Sequence, residues 1–477
     1  MSTNTRTVSL LGSLLLAASV LAPGARAGGF EIPDNGTFAL GRGGAFIVRA
    51  DDPTALILNP GGLTRLSGTH ILLNHVLIWE NAQFTRQPTD LPEGHDYGFD
   101  ATATVENDKS LFPIGAMFIA TTDFGLDDWT FALGLYGPSA HGSKKYPVDG
   151  GQRYLLTELD TVLLYANLAV AYGVDDCWGV GLTLQYVMAP QVKLKLVADA
   201  TPGGDLNAYY SSADVEAVLD MKDLTSFSAI AGAWFRVIPE IEVAVSGRVV
   251  PANLNLEGDI TLDNVPGQTQ FSDAQREITN SSASMDLTIP PSARAGVRYR
   301  HLDGDREVFD VELDVVYEAW SMIENYDVDL EGQIQLFTGS PAPDTQIAKR
   351  WKDTVSVRLG GTVNLLDDAL QLSAGGYYES GAVPENYEHL DFLSFDRFGL
   401  GLGVRGAVGP VRLSVAYAHV FQEDRKVDEH YGKVYQVRPI DPCPGCDSNA
   451  GWSGVPANAG KFESSYDMLA FGLELDL

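Results

Sequence analysis

From Leu469 the chain reads LAFGLELDL, which sets Leu469, Phe471, Leu473, Leu475 and Leu477 on one side of an extended backbone and Ala470, Gly472, Glu474 and Asp476 on the other. Side chains alternate along a strand with a period of two, whereas helical spacing would scatter these apolar positions. The pattern recurs in VGLTLQYVM, where Val180, Leu182, Leu184, Tyr186 and Met188 face away from Gly181, Thr183 and Gln185, and again from Phe398 to Val404 and from Val411 to Tyr417. Segments of this kind begin near residues 69, 111, 129, 156, 178, 223, 241, 284, 306, 352, 369, 395, 411 and 463, fourteen in all. The predicted fold class is all-β.

The connections alternate in length. Short ones, TDFGLDD, GVDDC, IPE, HLDGD, LLDD and VGP, join the strands in pairs, and long ones such as 87–110, 199–222, 263–283, 331–351 and 425–462 lie between the pairs. An even number of antiparallel strands with short turns at one end and long loops at the other is the layout of an outer-membrane barrel. A closed wall also satisfies every backbone group in lipid, which an open sheet does not. Tandem soluble sandwiches would bury the same apolar faces, but they do not sort loop length by parity. Tryptophans stand near strand ends, Trp129 and Trp178 by short turns and Trp320 and Trp351 toward long loops, and read as girdles at the two interfaces. The expectation is a 14-stranded antiparallel transmembrane β-barrel over residues 67–477.

Ahead of the first strand, residues 1–27 have the form of an export signal: Arg6, an apolar run from Val8 to Leu21, then Ala25-Arg26-Ala27. Residues 28–66 lack the alternation and are too short for a domain of their own. Fourteen strands enclose more space than their lining side chains fill, so this segment is expected inside the lumen as a hatch, or plug. Its stretch ALGRGGAFIVRADDPTALILNPGGL lacks the GxxxxGK[ST] spacing of a phosphate loop. The glycines suit close backbone approach in a packed, turn-rich segment.

Composition narrows the function classes. A formal charge of −31 excludes nucleic acid as a partner, because phosphate contacts need Lys and Arg. No uninterrupted apolar run reaches the roughly 18 residues of a spanning helix. Three cysteines are too few for a disulfide framework. Cys443 and Cys446, in DPCPGCDS, are a candidate loop disulfide, with redox chemistry or half a zinc site as the alternatives, and Cys177 is left single. Acidic residues in the long connections, Asp214, Glu216 and Asp220 among them, read as solvated charge rather than a metal site.

The inner faces are polar. In FDVELDVVYE, Phe309, Val311, Leu313, Val315 and Tyr317 face out, and Asp310, Glu312, Asp314 and Glu318 face in. The preceding strand, SARAGVRYR, turns Arg294, Arg298 and Arg300 inward. Carboxylates opposite guanidiniums form a cross-strand ladder that offsets the cost of charge in a narrow interior, a structural reading favoured over a substrate relay.

GGFEIP after the signal, the glycine-rich stretch, GQRYLLTELDTVLLYANLAVAYGVDDCWGVGLTLQYV, IPPSARAGVRYR, DVVYEAWS and WKDTVSVRLGGTVNLLDDALQLSAGGYYESGAVPEN together resemble the FadL-type outer-membrane transporters of long-chain fatty acids and other hydrophobic compounds, which include the toluene channels. The resemblance covers nearly the whole mature chain. It implies capture of ligand by outer loops, transfer to an interior pocket gated by the hatch, and release sideways through the wall. It implies further that Gly29 and Phe30 reach into the pocket and that Asn59 and Pro60 are the hatch's Asn-Pro motif. The third strand, WTFALGLYGP, would carry an inward kink. Gly134, Gly137 and Pro138 suit it, since Gly weakens pairing and Pro cannot donate to the ladder. The implied partners are outer-membrane lipid and lipopolysaccharide, the barrel assembly machinery and a hydrophobic small molecule, with a monomer as the working unit. The chain departs from the common barrel pattern in ending at Leu477 rather than an aromatic residue.

Enzymatic activity is not expected. The eight histidines show no pairing with a nucleophile, and passive transport calls for neither cofactor nor metal. A sixteen-carbon chain prefers apolar surroundings by about 12 kcal/mol, at about 0.8 kcal/mol per methylene, so an apolar path with a lateral exit suits it better than an aqueous pore. The rival readings, a hydrophilic porin or a structural barrel, differ in leaving the lumen open to ions or without a ligand.

Overall fold

The computed structural model describes residues 36–87, 102–109, 111–112, 115–137, 143–174, 177–200, 214–336, 340–437 and 456–477. Among these, fourteen strands follow one another around a closed antiparallel wall. They are β1 (Thr69–Arg86), β2 (Ala116–Thr122), β3 (Trp129–Tyr136), β4 (Glu158–Val174), β5 (Trp178–Asp199), β6 (Asp214–Ile238) and β7 (Ile241–Val250). The second half comprises β8 (Ser292–Asp303), β9 (Arg306–Glu318), β10 (Thr354–Leu365), β11 (Leu370–Glu379), β12 (Arg397–Val408), β13 (Val411–Gln422) and β14 (Gly460–Asp476). The ring closes where β14 pairs with β1, from His70 opposite Asp476 to Arg86 opposite Gly460. No free edge is left along that seam.

The tight connections fall at the positions expected from sequence. Gly304 and Gly409, in the turns after β8 and β12, have φ of 65° and 58°, which an L side chain rarely adopts. Above these turns the outward positions form an apolar band: Val243, Val245, Val311, Leu313, Val315, Leu400 and Leu402 are all exposed. At the short-turn end, Trp129 lies 4.8 Å from Tyr172, which meets Trp178 at 5.8 Å, so these rings do form a girdle. Toward the long loops the girdle is built from tyrosines. The hydroxyls of Tyr317 and Tyr378 donate to Asp353 and Asp396, each at 2.7 Å. Trp320 and Trp351, expected in that girdle, are instead buried inside the wall. Each sits at a strand break, where the backbone turns the side chain inward.

The strands do not stop where the apolar band stops. β7 continues past Pro251 as Ala252–Asn264, Ile278–Ile289 leads through Pro290 and Pro291 into β8, and β9 is prolonged past a 3-10 turn, Trp320–Met322, by Asn325–Ile334. At each break the chemistry of the two faces is exchanged. On β7 the inward residues are Glu242, Ser246 and Arg248, and the outward ones are Val243, Val245 and Val249. Beyond Pro251, Leu254, Leu256, Ile260 and Leu262 are buried while Glu257 and Asp259 face water. Beyond the break in β9, Tyr326 and Val328 face in, and Asp327, Asp329 and Glu331 face out. The exchange marks the upper border of the apolar band: below it the outside is oily and the lumen charged, and above it the outside is acidic and the lumen oily.

The same extension corrects one reading of the acidic residues. Asp214, Glu216 and Asp220 lie on the upper part of β6 rather than in a loop. Asp214 is buried, accepting from the Tyr154 hydroxyl at 2.8 Å and pairing with Arg153 at 3.2 Å.

Candidate functional site: the lumen and its wall

Residues 36–66 lie within the ring, as two short helices, Thr37–Gly41 and Ala55–Leu58, and a 3-10 turn, Pro60–Arg65. Wall strands on opposite sides admit this backbone by presenting glycines. A Cβ added at Gly360 or Gly375 would stand 2.2 or 2.0 Å from the Arg42 carbonyl oxygen, and one at Gly181 would stand 2.4 Å from that of Pro60. Asn59 and Pro60 are both buried. The Asn59 amide donates to the carbonyl of Ile47 at 2.8 Å and to that of Ala233 on β6 at 3.3 Å, while its oxygen accepts from Gly61 N–H at 3.1 Å. One side chain thus starts the 3-10 turn and ties it to the wall.

The charged inner face of β8 and β9 meets the opposite side of this segment. Arg42, fully buried, donates to both oxygens of Asp310 at 3.0 and 2.7 Å and to Glu312 at 3.1 Å. Arg49 adds a contact to Asp310 at 3.0 Å. Glu312 accepts the backbone N–H of Val48 at 2.7 Å, and Asp314 accepts that of Phe46 at 3.0 Å. Arg298 and Arg300 do face β9 in register with Glu312 and Asp310. Their side chains slant away from that register: Arg298 pairs with Asp310 at 2.9 Å and Glu242 at 3.0 Å, and Arg300 pairs with Glu307 at 2.6 Å. Arg294 faces inward higher on β8, opposite Val316. The carboxylates of the ladder therefore serve the N-terminal segment as much as the arginines of the wall. Glu242, Glu307 and the Arg405–Asp52 pair (2.7 Å) complete the network. Alternation in IEVAVS and FGLGLGVRG would have pointed Glu242 and Arg405 inward, but nothing in the sequence singles out Asp52.

Above this ionic floor the lumen holds a large apolar cluster. Leu56, Ile57 and Leu63 of the N-terminal segment pack into one buried cluster with Ile119, Tyr136, Tyr165, Leu254, Leu287, Trp320 and Phe392. Two buried cations beside it have carboxylate partners: Lys144 meets Glu80 at 2.8 Å, and Lys349 pairs with Asp391. Burial pushes the Lys349 ammonium and the His389 imidazole below their ordinary values, with Asp391 pulling the other way. Burial alone would raise Asp391, yet His389, at 2.9 Å, and Lys349 hold its carboxyl well below the usual range. All three groups lie above the apolar band.

The ladders on either side of β5 lose regular register at one height beside this cluster. Among the described residues, ladder pairing with β4 runs from Trp129 opposite Tyr172 to Tyr136 opposite Tyr165 on β3, and Ser143 pairs with Asp160 further along β4. At the same level the register shifts between Val162 and Leu164 on β4 and between Val187, Ala189 and Val192 on β5. A cavity of about 730 Å³ lies here. Its lining mixes inward Met117, Tyr136 and Leu163 with outward Leu73, Phe118 and Leu135, together with Gly137 and Pro190. Gly134 stands inside the regular ladder, where the missing side chain makes room for Leu56: an added Cβ would be 2.5 Å from its Cδ2. Gly137 follows the last paired residue of β3. Pro138, the N-terminal Gly29 and Phe30, and Cys443 and Cys446 lie outside the described residues.

The sequence matches the model of the family described as Outer membrane protein transport protein (OMPP1/FadL/TodX) over residues 18–440. Among solved structures it is similar to a Pseudomonas aeruginosa FadL homologue, at 15% identity with 94% of this chain and 100% of that chain covered and a TM-score of 0.71. It is similar also to the Pseudomonas putida toluene transporter TodX (13% identity, 93% and 98% covered, TM-score 0.63) and to the CymD monoaromatic hydrocarbon channel (14%, 94% and 99%, TM-score 0.61). At these identities the likeness is one of fold. No curated protein matches the sequence.

Proposed function

Since the chain belongs to the OMPP1/FadL/TodX family of outer-membrane transport proteins, we propose that it moves long-chain fatty acids or other hydrophobic compounds passively through the outer membrane, from the long-loop end to the membrane interior. Solute enters the apolar upper lumen, meets the N-terminal segment acting as a hatch, and leaves sideways through the wall cavity beside β3. The observation that carries this reading is the exchange of faces along the strands. An apolar solute is welcome down to the level of Leu56 and Tyr136 and is stopped below by a floor of buried ion pairs, while at that level the wall cavity joins lumen-facing and lipid-facing side chains. Hydrocarbon loses nothing in passing from one apolar medium to another, whereas each methylene entering water costs about 0.8 kcal/mol. Lipopolysaccharide, which resists hydrophobic entry, is the surface this route bypasses, and the route needs no second subunit.

The test is uptake of labelled oleate and toluene by cells that lack a transporter of their own. Expression of the protein is expected to raise uptake of at least one, and equal uptake with and without it would overturn the proposal. The porin reading predicts the opposite electrical behaviour. A lumen floored by the N-terminal segment conducts little in planar bilayers, and a large steady conductance would favour the porin.

A further inference from the structure

The loop between β11 and β12, residues 380–396, folds into the lumen from the long-loop side: Leu390, Phe392, Leu393 and Phe395 are buried in the cluster that lines the upper lumen. The ring of Phe392 meets Trp351 at 6.2 Å and 90°. Trp351 in turn stands edge-to-face with Trp320 at 5.5 Å and with Tyr326 at 6.3 Å. Trp320, Tyr326 and Trp351 come from wall segments on both sides of the strand breaks, so the barrel itself fixes three rings and a loop supplies the fourth. The residue before Phe392, Asp391, pairs with Lys349, whose ammonium lies 4.6 Å from the Tyr326 ring centroid. The loop is thus pinned next to the ring it inserts.

We propose that Trp320, Tyr326 and Trp351 form a subsite for the aromatic ring of a neutral hydrophobic solute, and that Phe392 is its resident stand-in, displaced when solute enters. This rests on the transport reading and adds to it a place and a ring chemistry. Edge-to-face packing uses the opposite charges of a ring's face and rim, which a saturated ring of equal size lacks. Because Phe392 competes for the space, the apparent dissociation constant equals the intrinsic one divided by the fraction of molecules whose loop is withdrawn. Loosening the pin therefore tightens binding without touching the subsite.

The experiment is calorimetric titration of toluene and of methylcyclohexane into the purified full chain, with barrel integrity followed by heat-modifiable gel mobility. The wild type is expected to bind toluene about two- to tenfold more tightly than methylcyclohexane. Asp391→Asn should tighten toluene binding by about three- to tenfold, and Trp351→Leu should abolish the ring preference. If Asp391→Asn does not fold, Leu393→Ala, which loosens the same loop at a buried position, is read the same way. Absence of toluene binding, equal affinity for the two solutes, or a folded pin variant with unchanged affinity overturns the subsite. Cellular uptake separates the two ideas. Uptake without ring preference rejects the subsite alone, and ring-selective binding without uptake rejects transport and keeps the subsite.

Discussion

Arg42 is the residue through which the N-terminal segment is most firmly held. Removing its guanidinium leaves Asp310 and Glu312 buried without their main counter-charge, a loss of about 3–5 kcal/mol for a buried pair of this kind. Arg42→Ala should therefore expose residues 36–66 to limited proteolysis at denaturant concentrations where the wild type is resistant, while the barrel keeps its folded gel mobility. Identical protection would mean that the ion pairs do not hold the segment. Arg42→Lys should rescue only in part, since an ammonium cannot engage both oxygens of Asp310 through a planar fork. The glycine side of the contact is tested by Gly375→Ala, whose added carbon meets the Arg42 carbonyl at 2.0 Å. Displacement of the segment should raise single-channel conductance, and an unchanged trace would contradict it. Strict alternation told which charges of β8 and β9 share a face, and the barrel reading turned that face inward. It could not tell that Arg42, 268 positions away from Asp310, would arrive to meet them. Pairings of that range depend on how the whole ring closes.

Among the elements, strand existence was legible and strand length was not. Alternation reports that two faces differ in polarity, but it does not report which face looks inward, so the upper stretches Ala252–Asn264 and Asn325–Ile334 merge with loops once acidic residues take over the outward positions. The buried loop 380–396 was illegible for another reason: HLDFLSF has no period, and only the arrival of Trp351 and Lys349 from elsewhere makes it part of the interior. Its docking should depend on pH. Burial depresses the His389 imidazole, with Asp391 opposing and Lys349 and Lys144 reinforcing that shift. The docked loop then binds fewer protons than the released loop below the ordinary imidazole value of about 6.5, so docking strengthens as pH rises and weakens as pH falls through that value. The carboxyl of Asp391, held low, adds stability that persists above about pH 4 and fades only in stronger acid. Amides from Leu390 to Phe395 should exchange faster at pH 5 than at pH 7.5 after correction for intrinsic rates, and equal protection would count against the linkage.

At the scale of the whole molecule, the even strand number and the sorted connections were readable because they follow from closing a sheet in lipid and require no knowledge of any contact. The height of the membrane was not readable, and the exchange of faces at Pro251 supplies it. Cysteine placed at Val245 should be shielded from a membrane-impermeant maleimide on intact cells, and cysteine at Asp259, about 45 Å further along the strand at about 3.3 Å per residue, should be labelled. Labelling of both would place the border lower than the structure implies. The cavity beside β3 has a further consequence. Apart from Asn74, His75 and Ser414, its lining is apolar on the lumen side and on the lipid side alike, so it offers little to favour one sense of passage. On the proposed route it is a door without a ratchet, and a cell that fails to consume what enters will lose it again by the same opening, at a rate set by concentration alone.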